Sequence, residues 1–214
     1  MIEQTTIKHD HLMKQLTEPL LQRFGISYFC YQFVSNDGHW FTLGNHADWL
    51  LHSANNQFYC YDPSLVQPDY YHAAYACMPK YQKNDLLQET LVSHATRFFD
   101  IDHALALIQP TTTGCEYYFF GAPNAHCDVL NIYLNQLNTI RQDYTHFIKT
   151  RIEPIIDDCQ NHMVNLKEVN SSRFNSKDNL LVQANPLIQD AFLTSINSAR
   201  PLLTKRASTV LMGS

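Results

Sequence analysis

The sequence predicts a mixed α+β domain, with a sheet that is covered on both sides, and three observations predict it. Residues 26–34 (Ile-Ser-Tyr-Phe-Cys-Tyr-Gln-Phe-Val) carry apolar or aromatic side chains in both phases of the strand repeat. Both faces of that strand are therefore covered. Behind it stands Asp37-Gly38, a pair that tolerates the positive φ of a tight hairpin, so the next strand returns antiparallel. Helical periodicity then recurs at 8–23, 84–98 and 127–157, which supplies the covering layers.

The 214 residues suit one domain of roughly 150–170 residues with an appended segment. Hydrophobic residues make up 45% and charged residues 16%, the balance of a soluble globular chain. Twelve Tyr and twelve Phe suit a β-rich core or one that encloses a cavity. The formal charge of −5 leaves no basic footprint for nucleic acid within these residues. No stretch reaches the roughly 18 apolar residues of a membrane span, so no membrane partner is expected. Cys30, Cys60, Cys77, Cys115, Cys127 and Cys159 form no CxxC pair, and no apolar leader precedes them. Reduced thiols in the cytoplasm are expected.

In order, residues 8–23 read as a helix on Leu12, Leu16, Leu20 and Leu21, ended by Gly25. A strand follows at 26–34, a turn at 35–38 and a second strand at 39–43. A short helix over 47–53 starts at Asn45 or His46. Residues 54–82 are irregular and aromatic, with Tyr59, Tyr61, Tyr70, Tyr71, Tyr75 and Tyr81 among Pro63, Pro68 and Pro79. Loops of this kind often cover a binding site. A helix over 84–98, capped by Asn84 or Asp85, presents Leu87, Leu91, Ala95 and Phe98 on one face. Strands at 103–109 and 115–120 flank a turn at 110–114. The long helix over 127–157 has its stripe on Leu130, Leu134, Leu137, Ile140, Tyr144, Phe147 and Ile148, with Pro154 expected to kink or end it. Residues 161–199 read as a linker or short helical segment, with a helix at 187–195.

No Gly-rich phosphate loop, GxSxG or HExxH is present. Cys127 beside His126 lacks a catalytic signature, and Asp100-Ile101-Asp102-His103 reads as a helix-to-strand connection. No catalytic residue, metal ligand or cofactor is expected, and the chain does not read as an enzyme. One constellation remains. Trp49 precedes Asp62 by thirteen residues, with Pro63 next. An indole N–H donates one hydrogen bond and a carboxylate accepts several, so together they can fix a carbonyl-containing or amide-like ligand in an apolar pocket. Spacing alone also fits a core Trp and an Asp that caps a loop.

Residues 24–120 resemble the autoinducer-binding domain of LuxR-type transcriptional regulators, in its divergent, Legionella-like form. The resemblance is carried by Phe24-Gly25-Ile26-Ser27-Tyr28-Phe29, by Trp49 and Asp62-Pro63 at the family's spacing, and by Phe98-Phe99-Asp100-Ile101-Asp102-His103-Ala104. The helix from about Cys127 also fits. Leu203-Thr204-Lys205-Arg206 with Val210-Leu211 is similar to the opening of the family's helix-turn-helix, Ala207 standing where that motif has Glu. The resemblance implies an αβα sandwich with a central antiparallel sheet, PAS/GAF-like, over 1–160, and the start of a truncated helix-turn-helix over 200–214. It implies that Trp49 and Asp62 hold the polar head of a small-molecule ligand. Tyr28, Tyr31, Trp40, Tyr59 and Tyr61 are candidates to line the pocket. Three family pocket positions fall on Ser53, Cys77 and Ala104 here, which leaves the ligand's identity open.

The expected function is a cytoplasmic ligand-sensing domain that binds a small amphipathic signal. It would control dimerisation and DNA binding through a helix-turn-helix that is missing beyond its first residues. A homodimer is expected, with the long helix as its candidate interface. The alternative is a ligand-free orphan that pairs with a full-length relative.

Overall fold

The computed structural model describes residues 2–60, 62–66, 75–77 and 86–169. Helix α1 (Ile2–Phe24) leads, starting six residues before the periodic stretch at 8–23. It ends where the sequence places the stop. Gly25 has φ +67° and donates its N–H to the Leu21 carbonyl at 2.8 Å. A Cβ at Gly25 would also stand 2.3 Å from the His126 ring, so the position demands glycine on two counts.

Strands β1 (Tyr28–Ser35) and β2 (His39–Gly44) form the predicted hairpin. Gly38, at φ +89°, closes its turn with an N–H bond to the Ser35 carbonyl at 3.0 Å. Next come α2 (Ala47–Asn55), a 3₁₀ turn (Phe58–Cys60), α3 (Pro63–Val66), β3 (Tyr75–Cys77) and α4 (Leu86–Phe99). The stretch 54–82 is therefore not wholly irregular. Its three-residue strand is too short for periodicity to reveal. Strands β4 (Asp102–Pro110) and β5 (Gly114–Ala122) follow. The sheet has six strands in the order β3-β4-β5-β1-β2-β6, and every pair is antiparallel.

Both faces of the sheet are covered. Phe29, Tyr31 and Phe33 of β1 pack with Leu20, Tyr118, Phe120, Ile148 and Ile152 beneath α1 and the C-terminal helices. Tyr28, Cys30 and Val34 pack on the other face with Trp40, Trp49, Phe58 and Ala95, beneath α2 and α4. Within α4, Ala95 and Leu91 face the sheet, but Phe98 is 67% exposed and Phe99 turns inward instead. A step of four residues from Ala95 is rotationally closer to the buried direction than a step of three. The Asn84 and Asp85 cap and the Leu87 side chain lie outside the described residues.

The long helix is α5 (Val129–Thr139), a π turn (Ile140–Tyr144) and α6 (Thr145–Gln160). Its buried stripe is Val129, Tyr133, Ile140, Ile148, Ile152 and Cys159, whereas Leu130, Leu134 and Phe147 are exposed. The buried positions step by four, seven or eight residues. The eight-residue step from Ile140 to Ile148 overshoots two α turns by roughly 80°, and the wider π turn that lies within it takes up that drift. Pro154 lies inside α6 and does not end it. Strand β6 (Val164–Asn165) pairs with β2, and Leu166 of α7 (Leu166–Val169) is buried under the same sheet face as α2 and α4. The helix read at 187–195 and the helix-turn-helix read at 200–214 lie outside the described residues.

Candidate ligand-binding cavity

Strands β1 and β2 make the floor. Tyr28, Cys30 and Gln32 share one face of β1 because strand side chains alternate, and Trp40 and Thr42 join them from β2. The Trp40 Nε1–H donates to Gln32 Oε1 at 2.8 Å. That bond occupies the amide oxygen and leaves the amide N–H to favour the Asp62 carboxylate. Cys30 Sγ lies 3.0 Å from Thr42 Oγ1. Burial pushes the Cys30 thiol up to about 11, so it stays protonated and unreactive at neutral pH.

Helix α2 is one wall. His46 caps it, its Nδ1 accepting the Trp49 N–H at 3.3 Å. This sets Trp49 in the first turn, where its ring packs on Phe99 and Phe58 with centroids 5.3 and 6.1 Å away. Helix α4 is the other wall, contributing Leu91, Val92 and Ala95. His52 Nε2 and His94 Nδ1, 2.9 Å apart, tie the two walls together.

The 3₁₀ turn and α3 close the cavity. Tyr59 lies over Trp40 at 5.5 Å and 33°. Asp62 caps α3: its Oδ1 accepts the Ser64 N–H at 2.9 Å and the Ser64 hydroxyl at 2.6 Å, and Pro63 takes the first helical position. Burial pushes the Asp62 carboxyl up, against the hydrogen bonds from Ser64 and Gln32. Burial also holds the Tyr28 phenol well above its ordinary range, with the Cys30 thiol second and a Trp49 hydrogen bond opposing. Tyr28 is thus a neutral hydroxyl at physiological pH. At the start of β4, Asp102, His103 and Ala104 reach the cavity. The strand is irregular there, and His103 takes φ +51°, which re-aims its side chain. The cavity is partly open to solvent, and its volume is about 110 Å³.

Of the residues singled out from sequence, Tyr28, Trp49, Ser53, Tyr59, Asp62 and Ala104 line this one cavity, as does Trp40. Tyr31 does not. Three positions from Tyr28, it points to the opposite face. There its hydroxyl donates to Glu116 Oε1 at 3.2 Å and accepts from Lys149 Nζ at 3.1 Å. Glu116 also accepts from Tyr118 at 2.8 Å and pairs directly with Lys149. Tyr61 and the Cys77 side chain lie outside the described residues. Sequence reasoning missed Cys30, Gln32 and Thr42. Stepping by two from Tyr28, and across the hairpin register, was the signal that finds them. Leu91, Val92 and Phe119 also line the cavity.

The cavity offers hydroxyl and indole donors beside a carboxylate acceptor, within aromatic walls. That set can hold a small molecule by its polar end and carries no activated nucleophile among the described residues. No family model matches the chain, and no curated protein matches it.

Proposed function

We propose that the chain carries the ligand-sensing domain of a LuxR-type transcriptional regulator, with a PAS/GAF-like αβα sandwich as its frame. It binds a small amphipathic signal in the cavity between the sheet and helices α2 and α4. The observation that carries this reading is that Trp49 and Asp62, matched to the family by spacing, open on the same cavity. In this reading the ligand's polar end meets Asp62, Tyr28 and Trp49, and Tyr59, Trp40 and Leu91 enclose its apolar part. Occupancy stabilises the folded form by mass action. It shifts the population toward a dimer competent to place a helix-turn-helix on DNA.

The test is native mass spectrometry of the protein purified from its own cells, set against its denatured mass. An adduct of small-molecule mass, lost on denaturation and lost in Asp62→Asn, is the expected result. A bare mass at every growth phase would remove the sensor reading.

A further inference from the structure

Among the described lining residues the Asp62 carboxylate faces the cavity, and no Lys or Arg is present. Both Ser64 bonds to Asp62 end on Oδ1, and the Gln32 amide N–H favours the carboxylate as well; the two oxygens of a carboxylate can accept a further donor. The rings of Trp40, Trp49, Tyr28 and Tyr59 line the same cavity, and aromatic faces attract cations. An anionic head would meet Asp62 with no fixed positive charge among those residues to offset its desolvation. A cation or an N–H donor meets an acceptor and aromatic faces together. Size narrows the class further. An apolar cavity of about 150 Å³ takes one benzene, and this one measures about 110 Å³, so the part of a ligand that it encloses is no larger than one small ring.

We propose that the cavity selects a compact amine, a single ring or comparably small apolar body bearing an ammonium or N–H group that sits on Asp62. This rests on the reading of the cavity as a ligand site and gives that ligand its chemical class.

The test is isothermal titration calorimetry of the full chain at neutral pH with benzylamine, benzyl alcohol and sodium benzoate. The three probes share one ring and differ in the charge of the head. N-hexanoyl homoserine lactone is the fourth probe. Benzylamine is expected to bind at least about tenfold more tightly than benzyl alcohol, and benzoate to give no saturable heat. Asp62→Asn keeps the α3 cap, because Asn caps as well as Asp, and is expected to abolish the preference for the amine. Tyr59→Leu, which leaves the carboxylate in place, is expected to weaken benzylamine more than benzyl alcohol. Equal binding of the three heads, or benzylamine affinity unchanged in Asp62→Asn, would overturn the proposal. Binding of the lactone without benzylamine would overturn it while leaving a small-molecule sensor standing. Failure of all four probes would also overturn the amine class, and the native mass then decides separately whether any ligand is carried.

Discussion

Asp62 is asked to do two things that pull on its charge in opposite directions. As the cap of α3 it accepts two bonds from Ser64, a task the neutral amide of Asn performs equally well. As an acceptor in the cavity it must be ionised in a place that resists ionisation, since burial raises its pKa above the ordinary 3.8. A raised carboxyl pKa means that the folded protein binds the proton more tightly than the unfolded chain does. The group's contribution to stability is then greatest below 3.8 and is lost as pH rises through the folded value. Ionising Asp62 in the folded protein therefore costs stability. Asp62→Asn is expected to raise the melting temperature of the free protein at pH 7, with the gain shrinking as pH is lowered toward 4. Melting curves of the two proteins across that range would show it. A lower melting temperature for the variant at pH 7 would mean that the carboxylate is net stabilising and that its burial is relieved by its partners. The same substitution that stabilises the empty protein should cost it the ligand, the usual exchange at a binding site.

The opposite sheet face shows what a buried charge looks like when the fold itself supplies the counter-ion. Lys149, on α6, pairs with Glu116 of β5, and the hydroxyls of Tyr31 and Tyr118 complete the carboxylate's shell. This cluster ties the long helix to the two central strands. The Glu116 side chain is 9% exposed and that of Lys149 31%, so the pair is only partly screened. Lys149→Met should leave Glu116 short of a partner, at a cost of about 2 kcal/mol, below the full penalty of a wholly buried pair. Urea unfolding of the variant measures this, and a loss under about 0.5 kcal/mol would class the pair with exposed ones. None of this cluster was legible in the sequence, because Glu116 and Lys149 stand 33 residues apart and no local pattern joins them. The hairpin was legible, since Asp37-Gly38 encodes its own turn. Parity along β1 was present too and puts Tyr28 and Tyr31 on opposite faces, although the sequence reading placed both at the pocket. The long helix misled for a physical reason. Leu130, Leu134 and Phe147 satisfy an unbroken 3.6-residue repeat, and the π turn at Ile140–Tyr144 breaks that repeat without any Gly or Pro to announce it. Ser53 and Ala104 carry no chemistry that marks a pocket. Only the resemblance pointed to them.

The two covering layers differ in a way that sets how the fold opens. On one side Leu20, Phe29, Phe120, Ile148 and Ile152 form a continuous core under α1 and α6. On the other, α2 and α4 stand off the sheet around about 110 Å³ of space. The walls that border that space have fewer packing partners than the helices of the other face. The walls are held by the His52–His94 bond and by the ring cluster of Trp49, Phe58 and Phe99, whereas β1 and β5 lie inside the sheet with strands on both sides and helices above and below. Local opening should therefore begin at the cavity walls, with the central strands released only on global unfolding. Hydrogen exchange gives the measurement. Amides of α2 and the 58–60 turn are expected to exchange by sub-global opening, well ahead of those of β1 and β5, and a bound small molecule is expected to slow the former while leaving α1 and α6 nearly unchanged. Uniform slowing across both layers on binding would mean that the two faces unfold as one unit. In that event the cavity would report its occupancy through the stability of the entire domain, and not through the packing of α2 and α4 alone.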